Sequence, residues 1–140
     1  MAGEMSGHFF FHDRWNGFDD SLYATARLLE LVARDEKPFS SLFDGIPTYP
    51  STGEAKVPLT SGREETMNAV REAYSDMEYS SVDGVRVRYS DGWYLCRPSN
   101  TEPILVMRAE AGSEESLESI KTDVENRLGT LIDLEKFHSA

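Results

Sequence analysis

The sequence is poor in the residues that staple small proteins together or carry metals. Of its 140 residues only one is cysteine, Cys96, so no disulfide can close within the chain and no cysteine-based zinc site can be assembled. A reducing cytoplasm is the expected location. Cys96 itself, in a strand-like run, reads as a small buried hydrophobe with no catalytic role. Long apolar runs are missing as well. The longest falls far short of the ~18 to 20 residues that span a bilayer, and the opening MAGEMSGHFFF has neither a basic region nor a cleavage site. No membrane partner and no secretory route are expected. Positive charge is scarce: 14 Lys and Arg face 25 Asp and Glu, a formal net charge of -11. Such a balance works against nucleic acid as a partner, because phosphate backbones are held by basic footprints. The chain contains no internal repeat and no low-complexity segment.

What is present is enough for a core. The hydrophobic fraction is 39%, with two Trp, six Tyr and seven Phe, which excludes disorder and fits one domain, or one small domain carrying a remnant of another. The charge is unevenly placed. Between Val85 and Arg108 four arginines (Arg86, Arg88, Arg97, Arg108) face only Asp91 and Glu102, whereas from Glu110 onward eight acidic residues outnumber three basic ones. A locally basic patch in an acidic protein suits a small anionic ligand better than a polyanion.

Two regions are predicted, 1–50 and 51–140. In the first, GHFFFHDRW is strand-like and leads into DDSLYATARLLELVARDE, where Leu22, Ala26, Leu29 and Ala33 fall at helical spacing behind Asp19 or Asp20 as N-cap. A lone strand entering a helix has no obvious pairing partner, so this part reads as the strand-helix remnant of a larger α/β domain. KPFSSLFDGIPTYPSTG, with three prolines and two glycines, is the linker, with one helical turn at Ser40 to Phe43. In the second region EAKVPLT reads as an edge strand, since Pro58 lacks a ladder donor. Ser61 and Glu64 form a capping-box pair for a helix that turns Met67, Val70 and Tyr74 inward. VDGVRVRYS alternates Val85, Val87 and Tyr89 against Arg86 and Arg88; Asp91-Gly92 signals a hairpin into WYLCR; PILVMRAEA is a further strand; Ser113 caps a last helix with the stripe Leu117, Ile120, Val124, Leu128. The order β-α-β-β-β-α predicts an α+β fold: a four-stranded antiparallel sheet with two helices on one face.

Two short segments carry recognisable chemistry. RPSNTEP lies in the loop between the strand ending near Cys96 and the strand starting near Ile104. Arg97 offers a planar fork of donors, Ser99 and Thr101 offer hydroxyls, and the amides of Ser99, Asn100 and Thr101 can curve around an anion. A solvated turn in which Ser, Asn and Thr bond to their own backbone explains the same composition. Three charge-assisted hydrogen bonds of about 1.5 to 3 kcal/mol each, set against at least ~4 kcal/mol for association, make such a loop alone a weak phosphate binder near the millimolar range. GEMSGH, Gly3 to His8, is the other segment. Glu4 can accept from vicinal hydroxyls and His8 can exchange a proton, while a glycine-rich strand entry with a solvated Glu and His is the bland alternative. His12 and His138 show no partner pattern and read as surface residues.

Together GEMSGH, the RWNGFDD ahead of the first helix, and RPSNTEP resemble the α-D-phosphohexomutase superfamily, in particular its bacterial phosphomannomutase/phosphoglucomutase branch, over nearly the whole chain. The hexosamine branch usually reads GEQSGH and RPSGTEP, so the variants here point to hexose. The resemblance implies that residues 1–50 are the end of domain three with its sugar-specificity loop, and that 51–140 are domain four, a sheet of the TATA-binding-protein-like type. It assigns Glu4 and Ser6 to ring hydroxyls, His8 to proton transfer, and Arg97, Ser99, Asn100 and Thr101 to the phosphate that is not being transferred. The implied ligands are mannose or glucose 1- and 6-phosphates, with hexose 1,6-bisphosphate as intermediate. The family's phosphoserine loop (TASHNP-like) and Mg2+ loop (DGDGD-like) do not occur among these residues; DGIP, DGVR and DGWY are isolated turns. The expectation is therefore a C-terminal fragment without mutase activity of its own, whose further partners are the N-terminal domains of the same chain. Two readings compete with it: a stand-alone phosphate-binding regulatory module, and an RNA-binding sheet using the arginines with Tyr89, Trp93 and Tyr94.

Overall fold

The structure is a computed structural model and describes all residues except Met5, Asp35 and Ala140. The chain divides into two compact units, Met1–Pro47 and Thr48–Ala140.

In the first unit the expected lone strand has a partner. Strand β1 (Ala2–Gly3) pairs antiparallel with β2 (Phe9–Phe10), Ala2 opposite Phe10 and Gly3 opposite Phe9. The aromatic run supplies only two residues of regular ladder, because the chain folds back at GEMSGH to make its own pairing. Helix α1 (Ser21–Arg34) follows. Its cap is Asp20, whose Oδ1 accepts from the Tyr23 N–H at 2.9 Å. The expected inward stripe is not the packed one: Leu22 is 82% and Leu29 62% exposed. Tyr23, Ala24 and Arg27 are half-buried instead, and Tyr23 and Arg27 lie against the Phe11 ring, at 5.6 and 4.7 Å. A helix with leucines on several faces has no unique apolar stripe, and its aromatic neighbours choose the face that packs. A 3-10 turn at Phe39–Phe43 closes the unit.

The second unit is a five-stranded antiparallel sheet of spatial order β3 (Ala55–Pro58), β7 (Ile104–Ala111), β6 (Gly92–Pro98), β5 (Val85–Tyr89), β4 (Tyr79–Ser80). The fifth strand was not predicted: two residues, Tyr79 opposite Val87 and Ser80 opposite Arg86, show no alternation to read. Pro58 does sit on an edge strand. The β5–β6 hairpin turns at Ser90-Asp91, with Tyr89 opposite Gly92, so Gly92 opens β6 rather than filling the turn. Its lack of a side chain serves packing, since a Cβ there would lie 2.7 Å from Ile120 Cδ1.

Helix α2 (Arg63–Ala73) packs on β5 and β6, α3 (Glu114–Leu128) on β6 and β7, and a short α4 (Glu135–His138) on β3. The covered face is read from the alternation: Ala55 and Val57, Val85 and Val87, Tyr94 and Cys96, and Leu105, Met107 and Ala109 are all buried. Met67, Val70 and Tyr74 of the α2 region and Leu117, Ile120, Val124 and Leu128 of α3 complete the core. Tyr94 sits at its centre, its ring 5.8 Å from both Tyr74 and Phe137. The α3 cap is Ser113, which accepts from the Ser116 N–H. The capping box at Ser61 and Glu64 does not form. Gly62 is the N-cap, and the Ser61 hydroxyl bonds Thr66 Oγ1 at 2.8 Å, one residue too early to reach the first-turn amides. His138, read as a surface residue, bonds Glu125 through Nε2 at 2.7 Å and ties α4 to α3.

Candidate functional site

GEMSGH is the tip of the β1–β2 hairpin. The Glu4 N–H donates to the His8 carbonyl at 2.9 Å and the Gly7 N–H to the Glu4 carbonyl at 3.0 Å. Gly7 has φ 89°, a conformation that favours glycine, although nothing crowds the position. Closing the loop brings polar groups together: Ser6 Oγ donates to Glu4 Oε2 at 3.0 Å. The tip is exposed, so both groups can exchange this mutual bond for one to a hydroxylated ligand.

His8 is paired with a residue that the sequence reading treated only as a possible helix cap. Its Nδ1 lies 2.5 Å from Asp19 Oδ2. The placement follows from the backbone: Asp19 forms an isolated antiparallel bridge with Phe10, two residues beyond His8. The intervening DRWNGF loop is held to α1 by Trp15 stacked on Tyr23 at 4.4 Å, by Arg14 bonded to Glu30, and by Arg27 bonded to Asp13. The His8 pKa is raised above the usual 6.5, chiefly by the bond to Asp19, then by that carboxylate's charge. In the neutral ring the contact fixes the proton on Nδ1 and leaves Nε2 as the atom that gains or gives a proton. Two successive aspartates before a helix were the available signal, since one suffices for the cap.

RPSNTEP connects β6 to β7. The Ser99 N–H donates to the Ile104 carbonyl at 2.9 Å, and the Leu59 N–H, just past β3, donates to the Pro103 carbonyl at 3.0 Å. Ser99 Oγ accepts from the amides of Thr101 and Glu102 at 3.4 and 3.2 Å. These are the local bonds of a self-supporting turn, and they are long enough to be weak. Ser99 Oγ also lies 3.5 Å from Thr101 Oγ1, so the two hydroxyls share one weak bond that an anion can replace. Arg97 alternates with the buried Cys96, so its side chain lies on the helix-free face of the sheet, 36% exposed. Its Nη1 is 3.6 Å from Asp83 Oδ2. The Asn100 and Thr101 side chains are exposed. The arrangement can present a guanidinium edge, two hydroxyls and an amide to an anion.

Cys96 is fully buried, and burial pushes its thiol up to about 12, far from a nucleophile's range. Among the described residues no group of three or more His, Cys, Asp or Glu side chains could hold a metal ion. No described helix is long and apolar enough to cross a membrane. A hollow of about 520 Å³ lies between β2 and α1 in the first unit; Phe9, Phe11, Leu28 and Leu31 are among the residues that line it, and Glu4, Ser6 and His8 are not.

An antiparallel sheet with helices packed on it, preceded in the chain by a hairpin-helix unit that ends in a proline-rich linker, defines an α+β protein. Family models agree: that of the phosphoglucomutase/phosphomannomutase C-terminal domain matches residues 54–127, and that of the alpha/beta/alpha domain III of the same family matches residues 1–49. The chain belongs to the phosphoglucomutase/phosphomannomutase family. It is 45% identical over 134 residues to a phosphomannomutase/phosphoglucomutase of Pseudomonas aeruginosa, covering 91% of this chain and 28% of that protein. It is 44% identical over 126 residues to a phosphoglucomutase of Neisseria gonorrhoeae, covering 86% and 27%. The crystal structure of a phosphoglucomutase/phosphomannomutase family protein from Burkholderia thailandensis superimposes with a TM-score of 0.78 at 44% identity, over 91% of this chain and 27% of that one. The chain thus spans little more than a quarter of the length of these relatives.

Proposed function

We infer that the chain supplies two recognition elements of a phosphohexomutase, one in each unit, for the two chemical parts of a hexose phosphate. Glu4 and Ser6 take sugar hydroxyls. His8, oriented by Asp19, moves a proton at Nε2. Arg97, Ser99, Asn100 and Thr101 hold the phosphate that is not transferred, and the binding energy of that spectator group positions the sugar where reaction occurs. The observation that carries this reading is the β6–β7 turn, which holds itself together through Ser99 and leaves the Arg97 fork and neighbouring donors exposed.

The full-length enzyme interconverts hexose 1-phosphate and hexose 6-phosphate, mannose or glucose, through a hexose 1,6-bisphosphate. Phosphoserine and magnesium chemistry belong to loops outside these 140 residues, and no step here runs through a metal. Residues 1–49 supply one α-helix, a 3-10 turn and a hairpin of two-residue strands to an alpha/beta/alpha domain. The exposed leucines of α1 and the apolar hollow beside them fit a helix that in the whole enzyme is covered by the rest of that domain. By itself the 140-residue chain binds hexose phosphates without turning them over.

The test is an amide chemical-shift titration with mannose 6-phosphate and glucose 1-phosphate. Shifts concentrated in 97–102 with millimolar affinity, abolished by Arg97→Ala, are expected. Absence of shifts at tens of millimolar, or equal shifts in the variant, removes the phosphate assignment.

A further inference from the structure

Arg97 has a close neighbour across the sheet. Val85 pairs with Cys96, so Gly84 lies beside Arg97 as β5 begins. A Cβ on Gly84 would meet Cys96 O at 2.4 Å, Arg97 Cβ at 2.6 Å and Arg97 Cα at 2.7 Å, and Gly84 has φ 79°. The left-handed backbone and the missing clearance each demand glycine. That contact brings the preceding residue, Asp83, to Arg97: Asp83 Oδ2 is 3.6 Å from Arg97 Nη1. Among the described residues Asp83 is the sole carboxylate within salt-bridge distance of this guanidinium.

An arginine on a flexible stem samples many rotamers, and a bidentate phosphate contact needs one of them. A carboxylate at Nη1 restricts the stem and leaves the Nε–Nη2 edge free to face an anion. We propose that Asp83 is a positioning residue for the phosphate contact: it holds the Arg97 guanidinium in the anion-receiving orientation, and Gly84 sets the approach that makes this possible. The inference rests on the assignment of the 97–101 turn as a phosphate anchor. It also explains why a carboxylate stands beside an anion site, where its charge alone is unfavourable.

Because Asp83 both orients Arg97 and repels an anion, its replacement has two opposed effects, and the experiment separates them. Asp83→Asn keeps a polar oxygen of the same reach beside Nη1 without the charge, whereas Asp83→Ala keeps neither. Both lack the charge, so the ratio of their dissociation constants reads positioning alone. The 140-residue chain, these two variants and Arg97→Ala are titrated with inorganic phosphate and glucose 6-phosphate, following backbone amides and the Arg97 Nε–H resonance. Asp83→Ala is expected to bind about threefold or more weakly than Asp83→Asn, the scale of ordering one rotamer-rich side chain on binding. In the free protein its Arg97 Nε–H signal should move to the position of a solvated arginine, with the thermal midpoints of the two variants alike. Equal affinity of the two variants, with binding still lost in Arg97→Ala, overturns the positioning role and leaves the phosphate anchor standing. Undiminished binding in Arg97→Ala overturns the anchor, and the positioning role falls with it.

Discussion

Replacing Gly84 by alanine tests the joint between β5 and β6 on which the presentation of Arg97 depends. Two costs are readable from the structure. The backbone has φ 79°, a left-handed conformation that costs an L-residue about 1–2 kcal/mol. The new methyl would also lie 2.4 Å from Cys96 O and 2.7 Å from Arg97 Cα. Both are backbone atoms, so relief requires moving one strand against the other, an overpacking cost of about 1–3 kcal/mol. Stiffening of the unfolded chain returns about 0.4–1 kcal/mol. The net expectation is a loss of about 1–4.5 kcal/mol, which for a unit of this size lowers the melting temperature by roughly 5–35 °C. Urea denaturation of the 140-residue chain, followed by tryptophan fluorescence and by the amides of Val85 and Cys96, measures it. A loss below about 1 kcal/mol, well under the summed strain and overlap, would refute the claim that this glycine is required by both conformation and space.

Two further outcomes follow from side-chain geometry. Arg127 of α3 donates to Asp76 at 2.7 and 3.0 Å, to Asp123 at 3.0 Å and to the Ala73 carbonyl, and lies 5.0 Å from the centre of the Tyr74 ring. The Asp76 pair is well exposed and counts for little, but the carbonyl bond, the half-buried Asp123 and the ring contact together make Arg127→Ala destabilising by about 2–3 kcal/mol, measured by the same unfolding assay. Because the Arg127 bond holds the Asp76 carboxyl below its usual 3.8, its contribution is present above that value and fades as pH falls through the lower folded-state pKa; the acid limb should flatten in the variant. For His8, the bond to Asp19 raises the pKa above 6.5. The stabilisation is complete below 6.5 and is lost as pH rises through the higher folded-state value. In Asp19→Asn the His8 ring protons, followed by NMR, should titrate at lower pH than in the parent; identical curves would remove Asp19 as the orienting partner.

The local elements were largely legible in the sequence because each rests on near neighbours. VDGVRVRYS alternates with the pleat from Val85 onward, and Val85 and Val87 face the core while Arg86 and Arg88 stay in water. Ser113 caps α3, and the α3 stripe is buried as its spacing predicts. Legibility failed where a long-range partner chose between equal local options. Ser61 and Gly62 compete to start α2, and with the Ser61 hydroxyl bonded to Thr66 Oγ1 the position falls to Gly62. Leucines on several faces of α1 left the packed side open until Phe11 and Trp15 were in place. Tyr79–Ser80 becomes a strand only because β5 offers it an edge.

The candidate site divides along the same line. RPSNTEP and GEMSGH announce themselves by composition, since glycines, prolines and short polar side chains specify turns through their own backbone preferences, and the donors they carry are a property of the residues alone. Which groups meet is a different matter. Asp19 reaches His8 through a bridge to Phe10, and Asp83 reaches Arg97 through a glycine contact between two strands. By itself the sequence determined the turns, the periodicities and the inventory of donors, because these are short-range. Only the tertiary structure decided which carboxylate stands beside His8 and which beside Arg97, because such pairings depend on strand register, and register is set by the packing of the whole sheet and its core.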